Sequence, residues 1–159
     1  MAEQPSEELI TITWQRAVPY KWKLGRVLGR FYKEMRDNKR LVGNQCPKCK
    51  ELMFPPRTVC GRCKVRAGEE LEEISQKGTV RLYNPMVQKF WNPRTGDWYE
   101  DPHPSATILL DGDVFTSHAL EETDIEKLRV GMRVEAVWKE KKERGEGMGD
   151  ILYFRTIEE

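Results

Sequence analysis

Apolar residues near the start of the chain recur with the period of an α-helix. The positions with this spacing are Leu24, Val27, Leu28, Phe31 and Met35. They share one stripe, which predicts a helix over residues 22–38. Two interpretations of the stripe are open: it packs as ordinary core beneath a solvated basic face, or the helix docks on a partner.

After Gly68 the pattern changes to short alternating runs broken by Gly, Pro, Asn and Asp, which is typical of strands. The predicted strands cover residues 79–87, 105–110, 114–120, 133–138 and 151–157. Asp111-Gly112-Asp113 is the turn of one predicted hairpin. A capping-box spacing at Thr123 and Glu126, with Gly131 as a stop, predicts a short helix between the third and fourth strands.

Five strands interrupted by one helix predict an OB-fold barrel. Two long connections, residues 92–104 and 139–150, are predicted to be exposed, and the second has the composition of a solvated hairpin tip. The expected fold is thus mainly β with an N-terminal helix. Its predicted domains are an arm and helix over residues 1–40, a cysteine module over residues 41–68 and a barrel over residues 69–159.

The four cysteines of the chain form two close pairs between the helix and the barrel. The pairs are Cys46 with Cys49 and Cys60 with Cys63. Two intervening residues let both sulfur atoms of a pair point to one centre, so the pattern predicts a four-cysteine metal site. Four sulfur donors select zinc or iron, and iron would require a redox role. Zinc is the default, and because no coordination position stays open the ion should be structural rather than hydrolytic.

Cellular location follows from what the sequence lacks. No run approaches the roughly 18 apolar residues of a membrane helix, and the first residues lack the features of a signal peptide. We therefore expect a cytoplasmic protein without membrane contact. Thiols stay reduced in that compartment, which favours metal over disulfides.

The same residues argue against catalysis by this chain alone. Every cysteine is assigned to the metal, and His103 and His118 are the remaining bases that titrate near neutral pH. Neither has a serine or an acid at a recognisable spacing. The sequence therefore predicts no catalytic residues and a module that binds rather than reacts.

Charge is distributed unevenly along the chain. Residues 1–13 carry three acids and no base, residues 14–66 carry 15 bases and 3 acids, and residues 67–159 carry 12 bases and 20 acids. This polarity indicates a basic surface for phosphates or for an acidic partner. The alternative is an internal match between the two halves.

The order of parts resembles a known family. FYKEMRDNKRLVG leads into CPKCKELMFPPRTVCGRCK, and GTVRLY, SATILLDGD and LRVGMRVEAVW follow. Over roughly residues 30–157 this is similar to the acyl-CoA-associated OB-fold proteins that carry a rubredoxin-like zinc ribbon. Members of that family typically assemble with thiolase-like condensing enzymes, which supply the nucleophile. The resemblance implies a noncatalytic zinc subunit of an acyl-CoA acyltransferase complex that helps to hold coenzyme A or an acyl-CoA ester.

At the positions that match the family's motif, the resemblance implies that the four cysteines hold zinc and that Arg40, Phe54 and Arg57 contact coenzyme A. A guanidinium suits phosphate through paired N–H donors, although Arg57 in a surface ion pair is the alternative. Lys50 departs from the family pattern, since glycine is common there, and the aromatic and basic segment over residues 14–29 suits partner docking. Thiolases of anaerobic aromatic degradation have such subunits, and benzoylsuccinyl-CoA thiolysis is the specific candidate.

Two other functions compete with this one. Zinc ribbons and OB-folds also bind single-stranded nucleic acid, for which Tyr83, Phe90 and Trp91 would stack bases. The acidic character of the barrel region opposes that interpretation. Rubredoxin-like electron transfer is permitted by four cysteines but leaves the barrel unexplained.

Overall fold

The computed structural model describes residues 23–85, 91–93, 95–98, 103–145 and 147–158. Predictions for the arm up to residue 22, for residues 86 and 87 of the first predicted strand and for Phe90 lie outside this part of the chain. Within it the fold is mainly β, with one α-helix near the N-terminus, as predicted. The strands are β1 (Leu41–Gln45), β2 (Leu52–Met53), β3 (Glu72–Ile74), β4 (Lys77–Asn84), β5 (Trp91–Asn92), β6 (Asp97–Trp98), β7 (Ser105–Leu110), β8 (Val114–Ala119), β9 (Arg133–Trp138) and β10 (Ile151–Thr156).

The helix α1 (Gly25–Asn38) buries the predicted apolar stripe. Val27, Phe31 and Met35 are buried, whereas Leu24 is exposed because the helix begins at residue 25. Its end lies where predicted: Lys39 adopts a left-handed conformation, and its backbone N–H bonds to carbonyls of the last turn. The stripe belongs to the main hydrophobic core, so the ordinary-core interpretation is confirmed.

Eight of the ten strands form a ribbon sheet and a barrel sheet, and β5 and β6 pair with each other. The ribbon sheet has the order β2-β1-β3, and the barrel sheet has the order β10-β9-β4-β7-β8 with antiparallel neighbours. A parallel bridge between Leu120 and Phe154 joins the two outer strands, which closes the five-stranded sheet. This order and closure fit a small OB barrel, and all five predicted strands are present.

One core joins helix, ribbon and barrel. Phe31 and Met35 of α1 and Leu41 and Val42 of β1 pack in the same buried cluster as the inward side chains of the barrel. Burial of such side chains contributes about 1.5 to 3 kcal/mol each, so the core holds the ribbon against the barrel. The domain limits at residues 40 and 68 stay a prediction.

The predicted helix at Thr123 is wrong. In its place, two turn hydrogen bonds run from Lys127 N to Asp124 O (3.1 Å) and from Leu128 N to Ile125 O (3.3 Å). The Asp124 side chain accepts the N–H of Glu126, so it stabilises a turn rather than a capping box. Too few residues lie before Gly131 for a helix to offset its nucleation cost.

The two long connections are more structured than predicted. Trp91 of β5 and Trp98 of β6 face each other in a small hairpin, with ring centroids 5.6 Å apart. The tip of the second connection is exposed at residues 140–143 and 145, as predicted, but its end is anchored, because Asp150 is fully buried and accepts the N–H of Gly145 at 2.8 Å. Arg144 donates to the carbonyl of Met35, which ties this connection to α1. No helix among the described residues is long and apolar enough to cross a bilayer.

Candidate functional site

Two turns of the same construction present the cysteines. In the first, Lys50 N donates to Cys46 O at 2.9 Å, and in the second, Lys64 N donates to Cys60 O at 2.9 Å. Both lysines lie in the left-handed region, with φ of 62° and 57°. The sequence folds this way because two residues between the cysteines are enough for one tight turn, which aims both sulfur atoms inward.

The structure brings all four predicted ligands together. Their sulfur atoms lie within 4.8 Å of one another, and those of Cys49 and Cys60 are 3.9 Å apart. Tetrahedral zinc with bonds of about 2.3 Å requires sulfur atoms about 3.8 Å apart, so the donor set fits one ion. Cys46 and Cys60 are buried and the other two cysteines are partly exposed, which is the closed arrangement of a structural site.

Electrostatics explain why the cluster needs a cation. Backbone N–H groups of Cys49 and Lys48 lower the pKa of Cys46 to about 6, against the opposing effect of burial. Hydrogen bonding to Cys49 and burial raise the pKa of Cys63 to about 12. One thiol therefore ionises easily and another resists, because thiolates so close together repel each other. A divalent ion removes this conflict and holds all four as thiolates.

We expect Lys64→Gly to stabilise the zinc-loaded protein by about 1 kcal/mol, since a non-glycine residue in the left-handed region is strained. Part of that gain is offset by the greater freedom of glycine in the unfolded chain. Thermal unfolding with saturating zinc measures the change. Lys48→Gly is the matched control, because φ of Lys48 is not positive; it should lower stability, and equal shifts for both variants would contradict the prediction.

Sequence reasoning missed Asn44, which clamps the ribbon. Its side chain is fully buried in β1. Its Nδ2 donates to Arg57 O at 2.8 Å and to Gly68 O at 2.6 Å, and its Oδ1 accepts the N–H of Arg57 at 2.9 Å. One amide therefore fixes the segments on both sides of the second cysteine turn. The available signal was an asparagine directly after Leu41, Val42 and Gly43, because asparagine is depleted in strands and is seldom fully buried.

A groove of about 710 Å³ lies between the zinc ribbon and the β7–β8 hairpin. The basic residues that line it are Lys50, Arg57 and Arg62, and two acids, Glu51 and Asp113, share the lining. Phe54 of the ribbon and Phe115 of β8 supply aromatic surface, and Phe115 is 59% exposed. This volume lies within the range of small-molecule sites, and its excess of bases suits an anionic ligand.

Two of the three predicted coenzyme A contacts lie in this groove. Phe54 and Arg57 line it, and they are joined there by groove residues that sequence reasoning did not select: Lys50, Arg62 and Phe115. The structure does not bring Arg40 to them. The Arg40 guanidinium lies 2.7 Å from Glu73 and 3.6 Å from Glu34. Its role in binding coenzyme A stays a prediction.

The two histidines bond to backbone carbonyls. His103 Nδ1 lies 2.9 Å from Leu120 O, and His118 Nε2 lies 3.2 Å from Met148 O. Burial lowers the pKa of His118, which favours the neutral ring. Neither histidine lines the groove.

Internal ion pairs account for part of the charge asymmetry. Arg26 and Arg66 pair with Glu69 at 3.0 and 3.4 Å, and Arg40 pairs with Glu73. These contacts join the basic segment to the acidic one, as the internal-match interpretation predicts. Five bases near the cysteines form no ion pair with a described residue: Lys48, Lys50, Arg57, Arg62 and Lys64. Three of them, Lys50, Arg57 and Arg62, line the groove, so basic charge is available to a ligand there.

Several known proteins are similar to this chain in sequence. A family model described as the rubredoxin-like zinc ribbon domain of ChsH2 matches residues 34–68. A DUF35 domain-containing scaffold protein of Pyrococcus furiosus is 33% identical over 133 residues, which cover 82% of this chain and 93% of that protein. Its counterpart in Methanocaldococcus jannaschii is 28% identical over 136 residues, or 84% and 93% of the two chains.

Two solved structures have a similar fold. A chain of the Ltp2–ChsH2(DUF35) aldolase matches with a TM-score of 0.60 at 23% identity, over 86% of this chain and 98% of that one. A DUF35 protein of unknown function from Sulfolobus solfataricus matches with a TM-score of 0.56 at 17% identity, over 84% and 87%. At these identities the likeness shows the fold alone. The scaffold protein of Pyrococcus furiosus, by contrast, is 33% identical over 93% of its length, and this similarity shows that the chain belongs to the DUF35 family.

Proposed function

We propose that this protein is a noncatalytic, cytoplasmic zinc-ribbon subunit that assembles with a thiolase-type acyl-CoA acyltransferase and helps it to bind coenzyme A or its ester. The single observation that carries the proposal is the basic groove beside the ribbon, where Arg57 and Arg62 are unpaired among the described residues. The scaffold names of its relatives and the aldolase complex of a structural neighbour support a role beside a partner enzyme.

The chemistry of coenzyme A suits the groove. The ligand carries a diphosphate and a 3′-phosphate, and guanidinium groups bind phosphate through paired N–H donors. We assign the phosphates to Arg57, Arg62 and Lys50, and the apolar parts of the ligand to Phe54 and Phe115. Arg40 would join them only by exchanging its contacts with Glu34 and Glu73 for a phosphate.

A structural metal is consistent with a chain that binds the ligand while its partner supplies the catalytic groups. The four cysteines hold the ribbon in shape, and Asn44 holds Arg57 by its backbone at the rim of the groove. The zinc ion would supply folding energy and no reactive position. In the proposed complex the nucleophile and the acid–base groups come from the partner.

Charge reversal tests the groove. We expect the double variant Arg57→Glu and Arg62→Glu to weaken binding of coenzyme A at least tenfold, because repulsion replaces attraction at the phosphates. Calorimetric titration of the assembled complex measures this affinity, with 3′,5′-ADP as a probe of the phosphate contacts. Lys48→Glu lies outside the groove lining and is the matched control, for which we expect less than a twofold change. An equal loss of coenzyme A affinity in the double variant and in Lys48→Glu would contradict the assignment of the phosphates to the groove.

Assembly tests the partner. Co-expression with a thiolase-fold acyltransferase from the same organism should yield a stable complex, and thiolysis should require both chains. Full activity of the enzyme alone would contradict this dependence. Among acyl substrates, benzoylsuccinyl-CoA is the specific candidate, and acetoacetyl-CoA is the comparison. A complex formed with an aldolase instead would replace the thiolase as partner and leave the proposed groove intact.

A further inference from the structure

The four cysteines differ in how far solvent reaches their side chains. Cys46 and Cys60 are buried, with 0% and 1% of their surface exposed, whereas Cys49 and Cys63 are partly exposed. Oxidation of thiolates follows their exposure to the reagent. Cys49 and Cys63 are therefore the two sulfur atoms that an oxidant in solution reaches first.

The surroundings of Cys49 suit such a reaction. Its Sγ lies 3.8 Å from Oε2 of Glu51 and 3.9 Å from Sγ of Cys60. Lys48 and Lys50 flank it in the chain, and cationic neighbours favour the thiolate. One partly exposed sulfur atom therefore lies next to both a carboxylate and a second sulfur atom.

The groove beside the ribbon leaves room for a small oxidant. Glu51 and Cys60 both line this groove of about 710 Å³. A volume of this size holds ligands much larger than a hydroperoxide. A peroxide in the groove can therefore reach the Glu51 carboxylate, which lies next to the Cys49 sulfur atom.

We propose that Cys49 is an oxidation site for small hydroperoxides, that Cys60 converts the oxidised sulfur into a disulfide and that Glu51 positions the peroxide. The Glu51 carboxylate accepts a hydrogen bond from the O–H of the peroxide and holds it beside the thiolate of Cys49. After oxygen transfer the same carboxylate accepts the O–H of the sulfenic acid that forms on Cys49.

The oxidation takes two steps. The Cys49 thiolate attacks one peroxide oxygen, so that an S–O bond forms, the O–O bond breaks and hydroxide leaves. The Cys60 thiolate then attacks the Cys49 sulfur, so that an S–S bond forms, the S–O bond breaks and a second hydroxide leaves. Together the two sulfur atoms lose two electrons, which the peroxide gains, and both hydroxides take up protons from water.

Oxidation removes two of the four thiolate donors. A structural zinc site of this type needs all four, so the metal should leave when the disulfide forms. The bond between Cys49 and Cys60 then joins the first cysteine turn to the second. A thiol reductant restores both thiolates, so the change is reversible.

Release of zinc driven by peroxide tests the site. Zinc-loaded protein without reductant is treated with hydrogen peroxide beside a chromophoric chelator, and we expect one zinc per chain to be released and to rebind after addition of dithiothreitol. Glu51→Gln should slow this release at least fivefold. Glu72→Gln, which changes an exposed glutamate of β3, is the matched control and should alter it less than twofold.

Release to the chelator without peroxide separates positioning from stability, because a merely structural role of Glu51 would change that rate too. We expect it to be the same in both variants. Equal rates of peroxide-driven release in Glu51→Gln and Glu72→Gln would overturn the proposal, and so would retention of zinc by the natural protein in a tenfold excess of peroxide.

Peptide mapping identifies the bonded pair. In the natural sequence trypsin releases Cys49 and Cys63 as the same dipeptide, Cys-Lys, whereas in Lys64→Gly the second cysteine lies in a peptide of residues 63–66. In that variant we expect the dipeptide of residues 49–50 to be bonded to the peptide of residues 58–62. A main product that bonds Cys49 to Cys46, or that contains Cys63, would overturn the assignment.

Discussion

Replacing Cys60 with serine is expected to release the metal and unfold the zinc ribbon. Cys60 is buried, and its sulfur atom contacts that of Cys49 and accepts the backbone N–H of Cys63 at 3.4 Å. Structural zinc contributes on the order of 10 kcal/mol to folding such a module, which far exceeds the contribution of its small apolar cluster. Metal analysis should show loss of one zinc per chain, and hydrogen exchange should show loss of protection over residues 46–67.

The barrel should survive this change. Most of its core, including Ile108, Val134 and Phe154, comes from the barrel strands rather than from the segment that holds the cysteines, so we expect β4, β7 and β9 to keep slow exchange. Lys48→Ser is the matched control: it introduces serine between two ligands but leaves all four sulfur atoms, and it should retain full zinc. Chelation of the wild-type metal should reproduce the exchange pattern of Cys60→Ser. Full zinc content in the Cys60→Ser protein would refute the four-cysteine site.

Loss of zinc should also abolish binding at the groove. Lys50, Arg57 and Arg62 belong to the cysteine turns or to the segment between them, so their positions depend on the ribbon. Coenzyme A affinity of the Cys60→Ser protein should therefore fall at least as far as in the charge-reversal variant. In the proposed complex a structural metal would thus control the binding surface without touching the ligand.

The features that sequence predicts well here are local ones. Two residues within each cysteine pair determine a turn, and alternation determines which residues of β7 and β9 face inward. These patterns give the metal cluster and the five barrel strands correctly. The short β3 was missed, because its three residues become a strand only by pairing with Leu41, Val42 and Gly43 of β1.

Features that depend on distant partners escaped sequence reasoning. Arg40 has a guanidinium group that could bind phosphate. The pairing of β1 with β3, however, brings Glu73 next to it, and the two side chains form an ion pair. Phe115 is 58 positions from Arg57, and no local pattern indicates that the two line one groove. The connection before Asp150 has the composition of a solvated tip and is exposed at residues 140–143, yet its contacts with α1 bury Gly147 and Asp150. Tertiary contacts override local preference at each of these positions.

Asn44→Leu is expected to lower the free energy of unfolding of the zinc-loaded protein by about 3 to 5 kcal/mol. The change leaves the N–H and C=O of Arg57 and the C=O of Gly68 without their partner in a buried setting. Each unsatisfied group costs about 1 to 3 kcal/mol, and leucine restores none of these bonds. Urea denaturation with saturating zinc measures the loss.

Asn38→Ala is the matched control, because the side chain of Asn38 is exposed and bonds only to Glu34 among the described residues. We expect that variant to lose less than about 0.5 kcal/mol. Asn44→Asp keeps an acceptor for Arg57 N but sets a carboxylate against two carbonyl oxygens, so it should be destabilised as strongly as Asn44→Leu. If the free energy of unfolding of Asn44→Leu instead lies within about 1 kcal/mol of that of Asn38→Ala, Asn44 does not hold the ribbon. Because Asn44 fixes the backbone of Arg57, we also expect both Asn44 variants to bind coenzyme A more weakly than Asn38→Ala does.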